Sequence, residues 1–270
     1  MRTRDLATSL RVYLRLMGAA LRACMQYRTS FWIRTVTETF AITEFIPVWF
    51  LMLRFGSLQG WTLTELALLY GMVGVSWAVV ECLLRGFEDF GSYLIRGDVD
   101  RWLLRPQPIV LQVAAHELEL RQLGRILQAA VVLIAGGIFA GVSATGWAWV
   151  ALGVAGGWLF FTGVVMLGAA AQFWTLGQSS ELQNILTYGG STALTYPVSI
   201  YTRWFRRVIT YAVPLAFVNY FPGLAALGRV QSEGWPAWIP WLSPLVCLGV
   251  LGLGQWAFAL GLRRYESTGS

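Results

Sequence analysis

The chain has 270 residues, of which 56% are hydrophobic and only 13% charged, and its formal net charge is +6; the mean hydropathy is +0.57. Soluble domains carry about 25% charged residues, so this composition excludes a water-soluble globule, and it excludes a disordered chain, which would be polar. All 20 basic residues are Arg, which excludes a P-loop Lys and a Schiff-base Lys from this chain.

Residues 4–25, placed on a helical wheel, put Arg4, Arg11, Arg15 and Arg22 within an arc of roughly 40°. Leu6, Leu10, Tyr13, Leu14, Met17, Leu21 and Cys24 gather opposite. The pattern predicts an amphipathic interfacial helix over about 4–28, with its basic face on anionic headgroups. Arg15 and Arg22 interrupt the apolar stretch, so it does not read as a signal peptide. A first membrane span follows at about 31–53, carrying Glu38 and Glu44. Arg34 and Glu38 are one turn apart and can pair. Thr35, Thr39 and Thr43 add polarity, and Glu44 has no local basic partner. A second span, about 63–84, carries Glu81. Ionisable groups in the bilayer are costly and usually face a bundle interior or a wet cavity. Glu44, Glu81 and Thr43 are therefore the candidates for a transport path.

Residues 85–125 are the most polar part of the chain. They hold Arg85, Arg96, Arg101, Arg105, Arg121 and Arg125, with Glu88, Asp89, Asp98, Asp100, Glu117 and Glu119. Residues 85–96 read as a short helix with an apolar side of Phe87, Phe90 and Leu94. Gly97 and Asp98 mark a turn, Asp98 is placed to cap a helical piece over 99–104, and Pro106 and Pro108 stop it. A helix from about Ile109 is expected to lead into the third span. It carries His116, a lone His with no metal partner and hence a structural or solvent-facing residue. Cys24, Cys82 and Cys247 are far apart and form no CxxC motif, so no zinc or redox site has local support.

Residues 126–180 contain no charge. That length suits two spans of about 20 residues, broken near Gly141 to Gly146. Gly137 with Gly141, and Gly153 with Gly157, offer close helix approach inside the subunit. The region 181–228 can be threaded in two ways. Charge and hydropathy place 181–207 beside the cytoplasm, with Arg203, Arg206 and Arg207 inside, and the fifth span at about 208–227. The alternative, which rests on the family resemblance set out below, places the fifth span at 179–197, followed by short helices that dip into the outer leaflet. The spacing of Pro197, Pro214, Pro222, Pro236 and Pro240 suits the second. A sixth span ends near Leu262. Most Arg residues fall before the first span, between the second and third, and in the tail, so both termini are expected in the cytoplasm. Of the 14 Trp residues, Trp61, Trp147, Trp149, Trp235, Trp238 and Trp241 sit near span ends, as in an interfacial belt.

The stretch from Ile95 to Pro106, with its G-x-[LV]-D-x-x-L-L-R-P pattern, resembles the bacterial ABC transporter permeases of the type-2, exporter-like class. The resemblance extends to Tyr13-Leu-Arg-Leu and Gln26-Tyr-Arg, to Phe55-Gly-Ser and Gly60-Trp-Thr-Leu-Thr-Glu65, and to Phe173-Trp-Thr. It continues through Tyr196-Pro-Val-Ser-Ile-Tyr201 and the stretch from Pro214 to Pro222. It covers nearly the whole chain in order and spacing. It implies an all-α integral membrane protein: a single permease domain over 1–270, with an interfacial helix, six transmembrane helices and short re-entrant helices before the last span. It also implies a cytoplasmic coupling segment at 85–108 that docks on an ATP-binding subunit. Glu88, Asp89, Arg96, Asp98, Asp100, Arg101 and Arg105 are its candidate contacts. A second permease copy, or a related one, would complete the path. ATP and Mg would sit on the partner, because a Walker A motif needs a Lys that this chain lacks. The expected location is the bacterial inner membrane, the function transport rather than catalysis, and no nucleic-acid partner is expected. Two other classes stay open: a secondary transporter driven by ions or protons through Glu44 and Glu81, and a membrane scaffold. Substrate and direction are not encoded in any motif.

Overall fold

The computed structural model describes residues 28–39, 60–175 and 184–265, together with Gly18, Arg22, Arg54 and Ser57. Every element among them is helical. The order is α1 (Arg28–Thr39), α2 (Leu63–Glu88), α3 (Phe90–Ile95), α4 (Asp98–Leu103), α5 (Ile109–His116), α6 (Leu123–Phe139) and α7 (Ala144–Thr175). Next come a π-turn at Ile185–Gly189 that runs into α8 (Gly190–Leu194), then α9 (Arg203–Arg207), α10 (Tyr220–Ala226) and α11 (Ser243–Arg263).

Helix α2 starts where Thr62 and Glu65 form a reciprocal capping box, the Thr62 amide donating to Glu65 Oε2 at 2.8 Å. Its 26 residues span about 39 Å, more than a hydrocarbon core of about 30 Å. The helix therefore does not stop at Leu84, as hydropathy suggests. Leu84 leaves helical geometry, and the helix resumes to Glu88. Helices α6 and α7 form a hairpin turned at Gly141, whose φ of 71° favours glycine. Ser143 Oγ then accepts from the Gly146 amide at 3.1 Å and caps α7. Helix α2 packs against α6, and α7 against α11. At the α7–α11 crossing Gly163 and Gly254 meet backbone to backbone, and any Cβ there would collide with the facing helix.

Among the described residues, four helical stretches are long and apolar enough to cross a membrane: Leu63–Ile95, Leu120–Phe139, Ala144–Thr175 and Ile239–Arg263. The pair Arg203–Ala212 and Leu215–Ala226 makes a fifth only if counted as one, and it is bent by 71°. This corrects the straight span at 208–227. Val213 is extended, and Pro214 has no amide to continue the helix. The break stays inside the fold because Asn219, only 1% exposed, donates to Leu194 O at 2.8 Å and Leu69 O at 3.3 Å. It thereby satisfies the carbonyl at the end of α8, as non-helical backbone at depth requires.

The segment before α9 also lies at the other end from the one charge alone suggests. Trp61 Nε1 donates to Ser199 Oγ at 3.1 Å, and Arg203, Arg206 and Arg207 border the same pocket as Glu233 and Trp235. These residues share the bundle end that carries the start of α2 and the start of α11. Helices α3 to α5 occupy the opposite end. Arg203–Arg207 therefore lie at the end of the bundle away from α3 to α5, the arrangement of the second threading. Two local readings also change. Gly97, at φ 71°, precedes α4, and Asp98 is its first residue rather than its cap. Glu117 is extended, so α5 does not run on into α6. The interfacial helix at 4–28 and the first span lie largely outside the described residues, as do Arg4, Arg11, Arg15, Thr43 and Glu44. Arg22 is helical and exposed. Helix α1 packs against α6.

Candidate functional site

The second half of α2 carries Glu81, Arg85 and Glu88 at spacings that bring them to one face. Glu81 is 2% exposed and pairs with Arg125, at the start of α6, at 3.0 Å. Tyr188, from the π-turn before α8, donates its hydroxyl to Glu81 Oε1 at 2.8 Å. Arg85 donates to the same hydroxyl at 3.3 Å and to Glu88 Oε2 at 2.7 Å. Three segments distant in sequence thus share one polar knot. A carboxylate this buried is tolerated because it has both a cation and a hydroxyl donor. Beside the knot lies a cavity of about 60 Å³ that Arg125 and Tyr188 border with Tyr70, Gln128, Ser191 and Thr195. It has room for a few waters and lies between α2, α6 and the 184–194 segment. Sequence reasoning found Glu81 from its depth. It missed Arg125, counted as a topology signal, and Tyr188, which carried no signal at all.

The segment after α2 is built as a stiff bracket. Phe90, on α3, is 0% exposed and meets Phe173 at 5.0 Å and Phe258 at 5.2 Å, edge to face. Those residues end α7 and α11, so α3 is clamped to the ends of two spans by aromatic packing. Tyr93 meets Trp102 and His116 edge to face, and its hydroxyl donates to Glu117 at 2.8 Å. Gln112 donates to Trp102 O and Gln107 O, which holds the chain after α4. Tyr265, beyond α11, faces Asp100, and burial together with that carboxylate pushes its phenol up from its ordinary value.

The expected contacts divide on this bracket. Arg96 and Arg101 are exposed and both reach Asp98, at 3.3 and 3.6 Å. Asp89 is half-exposed and pairs with Arg85 at 3.6 Å. Arg105 is exposed. Glu88 is turned inward, its side chain 7% exposed against Arg85. Sequence reasoning looked for charges here and passed over the exposed apolar residues of the same segment: Leu104 is 88% exposed, Ile95 65% and Leu103 50%.

At the opposite end Arg229 clamps the chain. It donates to both carboxylate oxygens of Glu65 at 2.9 and 3.0 Å and to Glu233 at 3.0 Å, and it lies over the Trp61 ring at 4.4 Å.

Long apolar helices around a polar seam mark a multi-pass membrane protein. The chain matches a family model described as "ABC-2 family transporter protein" over residues 38–269. The chain belongs to that family and is an ABC transporter permease. No curated protein and no solved structure gives a significant match.

Proposed function

We propose that this chain is one half of the membrane part of an ABC exporter in a bacterial inner membrane. It forms a single permease domain over 1–270 with six spans and both termini in the cytoplasm. Two copies, or this chain and a related one, enclose the path. ATP and Mg are bound by a separate ATPase subunit, in keeping with the absence of Lys from this sequence. The observation that carries the reading is the bracket of α3 and α4. Phe90 locks it to α7 and α11, while Leu104, Ile95 and Leu103 are left exposed along the same stretch of chain as the exposed Arg96, Arg101 and Arg105. Apolar residues exposed among charged ones suit a docking patch. When the ATPase pair closes, the bracket acts as a rigid lever on the spans, and the seam at Glu81, Arg125 and Tyr188 is where α2, α6 and α8 can shift. Glu44 and Thr43 belong to the path in the same reading.

The test is recovery of the tagged chain from native membranes. A stoichiometric ATP-binding subunit is expected to co-purify and to be lost in Leu104→Asp/Arg101→Glu at unchanged chain yield. Repeated purification without such a subunit, with uptake that follows a pH gradient, would assign the chain to secondary transport instead.

A further inference from the structure

At the end of the bundle away from the bracket, helix α9 and the π-turn at Val208–Ala212 line an open pocket of about 310 Å³. Arg203, Arg206 and Arg207 border it, with Thr210, Tyr211, Glu233, Gly234 and Trp235. Arg203 and Arg207 are exposed, and Arg206 is half-buried. Among the described residues no carboxylate forms an ion pair with any of the three. Glu233, the one acid on the wall, is already held by Arg229 at 3.0 Å. Three arginines against one carboxylate leave the pocket wall with a net excess of two positive charges. Thr210 adds an independent sign. It is 2% exposed, and its Oγ1 has no hydrogen-bond partner among the described residues. A buried hydroxyl left without a partner costs free energy, and here it borders the basic pocket. It sits in a π-turn, a distortion frequent at functional sites. Tyr211, on the pocket wall, is 72% exposed, and Trp204, on α9, is 67% exposed. Such rings are enriched at headgroup level in a bilayer, which fits a pocket within reach of lipid phosphates.

We propose that Arg203, Arg206, Arg207 and Thr210 form a binding site for a phosphate-bearing anion at the membrane surface opposite the bracket. The guanidinium groups supply forked donors to phosphate oxygens, and the Thr210 hydroxyl supplies a further donor. The occupant is the headgroup of an anionic phospholipid or a soluble phosphate; the chemistry is shared, and the test separates the two. The site does not rest on the direction of transport or on the ATPase partner.

The experiment is thermal unfolding of the full-length protein in detergent, titrated with phosphatidylglycerol mixed micelles, phosphatidylcholine mixed micelles or inorganic phosphate. Phosphatidylglycerol is expected to raise the midpoint of the wild type, and phosphatidylcholine is not. Replacing all three arginines by Gln is expected to weaken that response on the order of a hundredfold in apparent affinity, from about a fivefold loss per Arg near a charged surface. Thr210→Val is expected to weaken it several-fold. Protection by phosphatidylglycerol alone assigns the site to lipid, and equal protection by inorganic phosphate assigns it to the soluble anion. Full protection of the triple variant by phosphatidylglycerol would overturn the site. So would equal protection of the wild type by phosphatidylcholine, or a Thr210→Val response equal to the wild type. Arg207→Gln, at an exposed position, carries the same test if the triple substitution lowers yield.

Discussion

The two ends of the bundle treat charge in opposite ways. Around the bracket nearly every charge has a partner close by: Glu81 with Arg125, Arg85 with Glu88 and Asp89, Asp98 with Arg96 and Arg101. Aromatic rings then fix the helices that carry them. At the far end Arg229 uses up both nearby acids, Glu65 and Glu233, and Arg203, Arg206 and Arg207 are left around an open pocket. The difference teaches that charge density alone does not mark a side of the membrane. A cluster whose charges cancel within the fold holds shape. A cluster whose charges do not cancel is poised for something outside the fold.

The comparison can be broken most severely at Glu81. Arg125→Ala leaves a buried carboxylate without its cation. It is expected to lower stability by about 3–5 kcal/mol, read as the thermal midpoint of the protein in nanodiscs. The double variant Glu81→Gln/Arg125→Gln should recover a large part of the loss. No recovery would mean that the pair is not coupled. Phe90→Ala opens a cavity between α3, α7 and α11, with an expected loss of about 3 kcal/mol and a bracket that protease cuts faster. Arg229→Gln removes a forked contact at a partly exposed site, with an expected loss of about 1–2 kcal/mol by the same midpoint. The smallest effect is expected at the far pocket. Arg207→Gln without ligand should stay within about 0.5 kcal/mol of the wild type. A large loss there would show that the arginines hold structure, and the contrast between the two ends would fall.

Much of this was legible from residue order. The apolar runs gave α2, α6, α7 and α11 to within a few residues, because a bilayer demands uninterrupted apolar helix. Glycine at 141 gave the hairpin. The apolar side of Phe87, Phe90 and Leu94 was visible at its helical spacing, and all three are buried. What misled was treating Arg as a topology counter. Arg125 counts towards orientation, yet it serves as the partner of Glu81. Arg203, Arg206 and Arg207 suggested that the whole of 181–207 stays beside the 85–125 segment, whereas Tyr188 lies at that end and Ser199 at the other, because three cations close in sequence satisfy a statistical trend whatever pocket they border. The search for docking contacts among charges also hid Leu104. An exposed leucine and a core leucine look alike in a sequence.

The sequence by itself determined the solvent this protein lives in, the absence of a Lys-dependent nucleotide site and the positions of its long helices. These follow from composition and local period, which need no neighbours. Only the tertiary structure decided that Glu81 meets Arg125 and Tyr188, that Asn219 lets a helix break at depth, and that the three arginines share a pocket with Glu233 and Trp235. Each of these joins residues dozens of positions apart or turns on how a break is satisfied. The physical reason is the same for all: a polar group in an apolar medium must find its partner wherever the fold brings one, and sequence distance says nothing about where that is.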